Sequence, residues 1–370
     1  MPNVHISRVP GLEPQLVQHL AAAGFGSSKE VLLSSIVDIM ELLNLTQAQA
    51  VQLQRTVATH ICPAWTSALA LKHAQQVALS TMLPTLDACM RRGLPAGGIT
   101  ELVGPAGVGK SQMCFQLSLL CASPTSCGGL GATVLYIDTE RKFSSSRFAE
   151  MAHMRFPQQL SDTAALDATM SRVIIITPRN SEELMHCLDT LEAGIIQHHA
   201  SLVLVDSIAS LARTEYYGSR ETSGSGRHSI MDRQEMLGSV AAKLKYLAES
   251  FRIPVVVTNQ VTTRMTGQVA AHSFQQQQQQ PDGAGGGGYV TAALGTKWAH
   301  CVNLRIILER LADKRYLKVA KSAATANVAL EYLITPMGME EVVGADIPAE
   351  LDTSDVLAMP IANEVDYHMG

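Results

Sequence analysis

The chain has 370 residues, 46% hydrophobic and 16% charged, which is ordinary globular composition and enough for one large domain and a small one. A net charge of −5 and a pI near 6.2 exclude a protein that coats nucleic acid through a general basic surface, because phosphate binding needs clustered Lys and Arg. Seven scattered cysteines, with neither a CxxC pair nor Cys/His zinc spacing, predict a reduced compartment and no structural metal. No apolar run reaches the ~18 residues of a membrane span, and the start MPNVHISRVPGLEP lacks a charged-then-apolar signal region, so a soluble intracellular protein is expected.

Residues 1–62 read as a small helical domain. Ser27 with Glu30, and Thr46 with Gln49, have the spacing of reciprocal helix caps, and each opens an apolar-periodic stretch: Val31, Leu32, Ile36, Ile39, Met40, then Ala50, Val51, Leu53, Val57. Before Thr46 the hairpin reads Leu-Leu-Asn44-Leu, without the glycine that lets a helical hairpin approach a phosphate closely. Over 63–84 the pattern weakens into a linker that carries Trp65 and Ala68.

From 85 to 345 apolar strands alternate with helices, which predicts an α/β core with a mostly parallel sheet covered on both faces; 346–370 form a tail. Expected strands are Gly98–Val103, Thr133–Ile137, Val173–Thr177, Leu202–Val205 and Pro254–Thr258, each short and β-branched. Helices are expected over Ser111–Cys121 and Ser181–His198. Two segments break the alternation and are expected to be mobile loops: Glu215–His228, rich in Gly and Ser, and Thr262–Gly288, with six glutamines, Pro281 and four consecutive glycines.

Gly104-Pro105-Ala106-Gly107-Val108-Gly109-Lys110-Ser111 matches GxxxxGK[ST] between a strand and a helix. Glycines let backbone N–H groups turn around phosphates, Lys110 can reach the β and γ oxygens, the Ser111 hydroxyl can ligate Mg²⁺, and the helix start adds its dipole. Asp206 ends an apolar strand at the carboxyl edge, where it can hold a magnesium-bound water or merely cap the next helix. Glu140, also beyond a strand, is either the carboxylate that activates water for phosphate hydrolysis or a solvated loop charge. Gln260 follows Val-Val-Val-Thr-Asn and either senses the γ-phosphate or begins a turn.

In this order GPAGVGKSQ, VLYIDTE, LVLVDS and VVVTNQ resemble the phosphate-loop ATPase core of the RecA-like DNA recombinases. LSTMLPTLDACMRRGLPAGGITELVGPAGVGKSQ and TAALGTKWAHCVNLRIIL resemble the eukaryotic members, and GGLGATVLYIDTERKFSSSRF resembles their recombination-mediator branch designated B. The similarity spans about Ser80 to Gly338. It implies an ATP- and Mg²⁺-binding mediator of homologous recombination, acting in the nucleus on single-stranded and branched DNA with other recombinase paralogues, the C paralogue first among them. Slow DNA-stimulated ATPase activity is implied; the alternative is a non-hydrolysing subunit with ATP as an interface clamp.

By that resemblance Lys110, Ser111 and Gln112 belong to the nucleotide loop, Glu140 is catalytic, Asp206 is the magnesium acid acting through water, and Gln260 is the sensor. Arg147 stands where relatives stack an arginine on adenine, and His300 where a histidine nears the γ-phosphate across a subunit boundary. The two loops match DNA-facing loops, with Arg213, Arg220, Arg227 and Arg264 as phosphate contacts. Trp65 and Ala68 match an aromatic and alanine pair that docks on the next subunit; the other reading is that Trp65 packs on its own helices. Arg141-Lys142 stands where the recombinases have a Gly-Thr pair.

Overall fold

The computed structural model describes residues 4–62, 65–73, 78–208, 226–264, 289–292, 295–323, 325, 328–348 and 351. The chain divides into two compact units, Met1–Gln75 and Gln76–Gly370.

The first unit holds α1 (Pro14–Ala22), α2 (Ser28–Leu33), α3 (Ile36–Leu43), α4 (Gln47–Ile61) and α5 (Ala68–His73). Both expected capping boxes form, and a third joins Ser35 to Asp38. That third box cuts the first apolar stretch into two helices, because Ser34 and Ser35 are extended and Ser35 restarts the chain as α3. Ile6, Leu20, Val31, Ile39, Ala50, Leu53 and Val57 bury one common core. Asn44 ends α3 with φ 51°, the left-handed position that asparagine accepts more readily than most side chains, so the α3–α4 hairpin closes without glycine.

In the second unit core packing starts at Leu79, which bridges to Leu94, and continues with Leu83 ahead of α6 (Pro84–Cys89). Leu79, Thr81 and Leu83 are buried, within the stretch whose fading periodicity reads as linker. The sheet strands are β1 (Ile99–Gly104), β2 (Thr133–Asp138), β3 (Val173–Ile176), β4 (Ala200–Asp206), β5 (Val255–Arg264), β6 (Tyr289–Ala292), β7 (Leu304–Leu311), β8 (Lys314–Lys321), β9 (Ala329–Thr335) and β10 (Gly338–Glu341). Their order is β10-β9-β8-β7-β1-β5-β4-β2-β3, with β6 off this path and paired to β5. The six strands from β7 to β3 are parallel, and β8, β9 and β10 continue the sheet antiparallel.

Alternate strand residues feed two cores. Leu102, Val134, Tyr136, Leu202 and Leu204 face the side covered by α7 (Lys110–Ala122), α8 (Ser145–Arg155) and α9 (Thr163–Met170). Ile99, Leu135, Ile137, Val203 and Val205 face α10 (Ser181–His198), α11 (Gly226–Phe251) and α12 (Gly295–Cys301). Burial on both faces explains why these strands read as continuous apolar runs.

One charge interrupts β1. Glu101 is wholly buried and accepts from Arg305 Nε at 2.6 Å, Trp298 Nε1 at 2.8 Å and Asn259 Nδ2 at 2.8 Å. The carboxylate thus ties β1 to β7, α12 and β5, and its hydrogen bonds make its burial tolerable.

Two expectations shift at loop edges. β5 does not stop at Thr258 but runs to Arg264, its first half in the central sheet and Val261–Arg264 in a hairpin with β6. Residues 226–228, expected in a loop, begin α11. Most of both predicted loops lies outside the described residues.

Candidate nucleotide site

Because the central strands are parallel, their carboxyl ends share one edge. Register places Gly104 of β1 beside Gln260 of β5, and Asp138 of β2 beside Asp206 of β4, so residues far apart in sequence meet around the turn that follows β1. Gly104 must be glycine: a Cβ there would lie 2.2 Å from the Leu308 carbonyl oxygen. Gly107 and Gly109 take φ of 79° and 109°, which only glycine adopts without strain. No side chain caps the start of α7.

Lys110 is almost fully buried and donates to the carbonyls of Gly104 at 2.8 Å and Pro105 at 2.7 Å. Burial lowers its pKa, opposed by the charges of Asp206 and Glu140. The Ser111 hydroxyl donates to Asp206 Oδ2 at 2.7 Å. Tyr136 donates to the same oxygen at 2.9 Å and Thr258 to Oδ1 at 2.5 Å, so Asp206 is held rigidly at its strand end. Burial pushes the Tyr136 hydroxyl well up, which keeps it a donor. Hard oxygen donors beside a buried ammonium fit a magnesium-bound phosphate.

Glu140 lies in the turn after β2. Asp138 builds that turn by accepting from the N–H groups of Glu140 at 3.2 Å and Phe143 at 2.7 Å. Glu140 Oε1 accepts from Ser207 Oγ at 2.7 Å and Gln260 Nε2 at 2.9 Å, while Oε2 pairs with Lys142. Burial pushes the Glu140 carboxyl up, yet the Lys142 and Ser207 hydrogen bonds together hold it below the ordinary range. The Glu140 side chain is thus hydrogen-bonded and largely shielded rather than freely solvated, and Gln260 sits inside a strand with its amide on Glu140 rather than in a turn.

A cavity of about 270 Å³ is lined by Ala106, Gly107, Gly109, Lys110, Ser111, Gln112, Glu140, Lys142, Asp206, Ser207, Gln260 and Ile334. Among the predicted residues, the loop, Glu140, Asp206 and Gln260 are therefore brought together. Pro105 lends a carbonyl to Lys110, and Val108 packs in the core and gives its carbonyl to Tyr332 at 2.5 Å. Arg147 stands beside the cavity: Nε donates to Gln112 Oε1 at 3.0 Å, and the guanidinium reaches the carbonyls of Thr335 at 2.5 Å and Pro336 at 3.1 Å. His300 is exposed on α12 and does not line the cavity of its own chain.

The other predicted residues lie elsewhere. Arg227 falls in the first turn of α11 and Arg264 at the end of β5; Arg213 and Arg220 lie outside the described residues. Trp65 is 98% exposed, and Ala68, also exposed, starts α5. Sequence reasoning missed Asp138, Ser207, Thr258 and Lys142. The first three sit within two residues of a recognised strand end, and that adjacency is the signal that could have found them.

Comparison with known proteins agrees with this geometry. The Rad51 family model matches residues 72–342, and an XRCC3/RpoA-like helix-hairpin-helix domain matches residues 6–61. "DNA repair protein RAD51 homolog 2" of Mus musculus is 37% identical over 339 residues, covering 89% of this chain and 95% of that protein. Its Homo sapiens counterpart is 34% identical over 340 residues, covering 89% and 87%. "DNA repair protein RAD51" of Saccharomyces cerevisiae is 29% identical over 265 residues, covering 71% and 62%. With the phosphate loop, the strand-end carboxylates and both domain matches in place, the chain belongs to the Rad51 family of RecA-like recombinases, among its paralogues.

Proposed function

We propose that this protein is an ATP-binding mediator of homologous recombination and double-strand break repair, working on single-stranded and branched DNA in the nucleus within a complex of recombinase paralogues, the C paralogue first among them. The observation that carries the reading is the convergence of Lys110, Ser111, Asp206, Glu140 and Gln260 on one cavity. When bound, Mg²⁺-ATP supplies the transferable phosphoryl group. Lys110 would compensate phosphate charge, Ser111 and Asp206 would hold the metal and its water, and Glu140 would accept the proton of the attacking water. Gln260, hydrogen-bonded to Glu140 and continuous with the β5–β6 hairpin, links the nucleotide to the second predicted DNA loop.

Hydrolysis to ADP and phosphate is slow in this reading, because Ser207 and Gln260 both draw on Oε1 of the Glu140 carboxylate. The same hydrogen bonds favour a second reading, in which ATP is an unhydrolysed clamp between subunits. One experiment separates them: ATP turnover by wild type and Glu140→Gln, with and without single-stranded DNA, alone and with a partner paralogue. Slow turnover that rises with DNA and falls at least about 100-fold in Glu140→Gln, with ATP bound at least as tightly as by wild type, supports the ATPase. ATP binding with no turnover in wild type supports the clamp, and no ATP binding removes both.

A further inference from the structure

Lys142 belongs to no part of the phosphate-loop motif, yet it lines the same cavity as Lys110, Ser111, Glu140 and Gln260. Its main chain is anchored by the next residue, Phe143. The Phe143 N–H donates to Asp138, and the Phe143 ring packs edge-on against Phe115 and Tyr136 at centroid distances of 5.0 and 5.1 Å. The Lys142 side chain is 64% exposed, on a flexible four-carbon stem, with the ammonium paired to Glu140.

The two lysines of the cavity therefore differ in kind. Lys110 is buried and donates to two backbone carbonyls in the loop that also fixes its main chain. Lys142 is exposed and donates to a carboxylate, and exposed ion pairs are held weakly. A terminal phosphate offers several acceptor oxygens and more negative charge than one carboxylate, and charge-assisted bonds to it are strong. Glu140 Oε2 is the atom Lys142 occupies, whereas Ser207 and Gln260 use Oε1.

We infer that Lys142 is a second cation for the terminal phosphate, supplied by the same chain, which exchanges Glu140 for the γ-phosphate and so leaves Glu140 Oε2 open. The inference rests on the nucleotide-site reading above. It makes Lys142 a reader of ATP over ADP, and it couples arrival of the third phosphate to release of the carboxylate.

The test is calorimetry on the full chain with Mg²⁺, using ADP and the slowly hydrolysed γ-thiophosphate analogue of ATP. Lys142→Ala should weaken the analogue about tenfold while changing ADP by less than about twofold, as expected for one charge-assisted hydrogen bond at a partly exposed site. Lys142→Arg should restore most of the loss. Glu140→Gln should tighten the analogue by releasing Lys142, and that gain should vanish in Glu140→Gln/Lys142→Ala. If Lys142→Ala leaves both ligands unchanged, or weakens both equally, the inference fails while the nucleotide site stands. If wild type binds neither ligand, the site reading fails and takes the inference with it.

Discussion

The Ser111 hydroxyl donates its proton to Asp206 Oδ2 at 2.7 Å, although the two residues are 95 positions apart in the chain. That bond leaves the serine lone pairs for a metal and sets the hydroxyl's direction. Asp206→Asn is expected to weaken binding of Mg²⁺-ATP about tenfold while ATP in chelator binds as in wild type, since one negative charge beside the ion is lost. Calorimetry with and without EDTA measures this. A modest fall in melting temperature should accompany it, because Tyr136 and Thr258 also donate to this carboxylate and an amide nitrogen cannot accept from them. An unchanged magnesium dependence would remove Asp206 from the metal site.

Trp65 offers an indole to solvent three residues before Ala68, at 98% exposure. An aromatic anchor and a small residue at that spacing suit a pair of pockets on a partner surface. Changing Trp65 and Ala68 together to Glu should abolish association with a partner paralogue in co-purification, while ATP affinity and melting temperature stay at wild-type values. A loss of monomer stability would show that the tryptophan has a home in its own chain, and intact association would move the docking surface elsewhere.

The buried Glu101–Arg305 pair makes a third prediction. Glu101→Gln leaves the guanidinium buried without its counter-charge, and breaking a buried pair from one side costs about 3–5 kcal/mol. Urea denaturation followed by circular dichroism should show a loss of about that size. A loss below about 1 kcal/mol would mean that water solvates the arginine.

The parallel half of the sheet is legible in sequence because its central strands are buried on both faces and read as unbroken apolar runs, Leu202–Val205 and Val255–Val257 among them. The phosphate loop is legible because its glycines and lysine have few substitutes. β8 is harder to see: four of the eight residues of Lys314–Lys321 are basic, and its burial is settled by pairing with β7 and β9. β5 runs longer than its apolar stretch suggests, because its polar second half, Val-Thr-Thr-Arg, gains strand structure from β6 rather than from its own composition. In the site, Glu140, Asp206 and Gln260 could be named in advance because each ends or follows an apolar run. Asp138 could not be separated from Glu140 by pattern; only the turn shows that the first builds and the second faces the cavity.

The first unit starts three of its helices with reciprocal pairs spanning three residues, Ser27 with Glu30, Ser35 with Asp38 and Thr46 with Gln49. Helices of 6 to 15 residues do not persist alone in water, so these starts are held only once Leu20, Ile39 and Leu53 pack. Yet the places where they begin are decided locally, before any distant contact. A chain so marked has little left to search, and its contacts are close in sequence, which places it among the fast-folding topologies. The consequence falls on synthesis: these residues leave the ribosome before the second unit does, and they can be finished while the long-range pairings of β1 are still waiting for β5 and β7 to arrive.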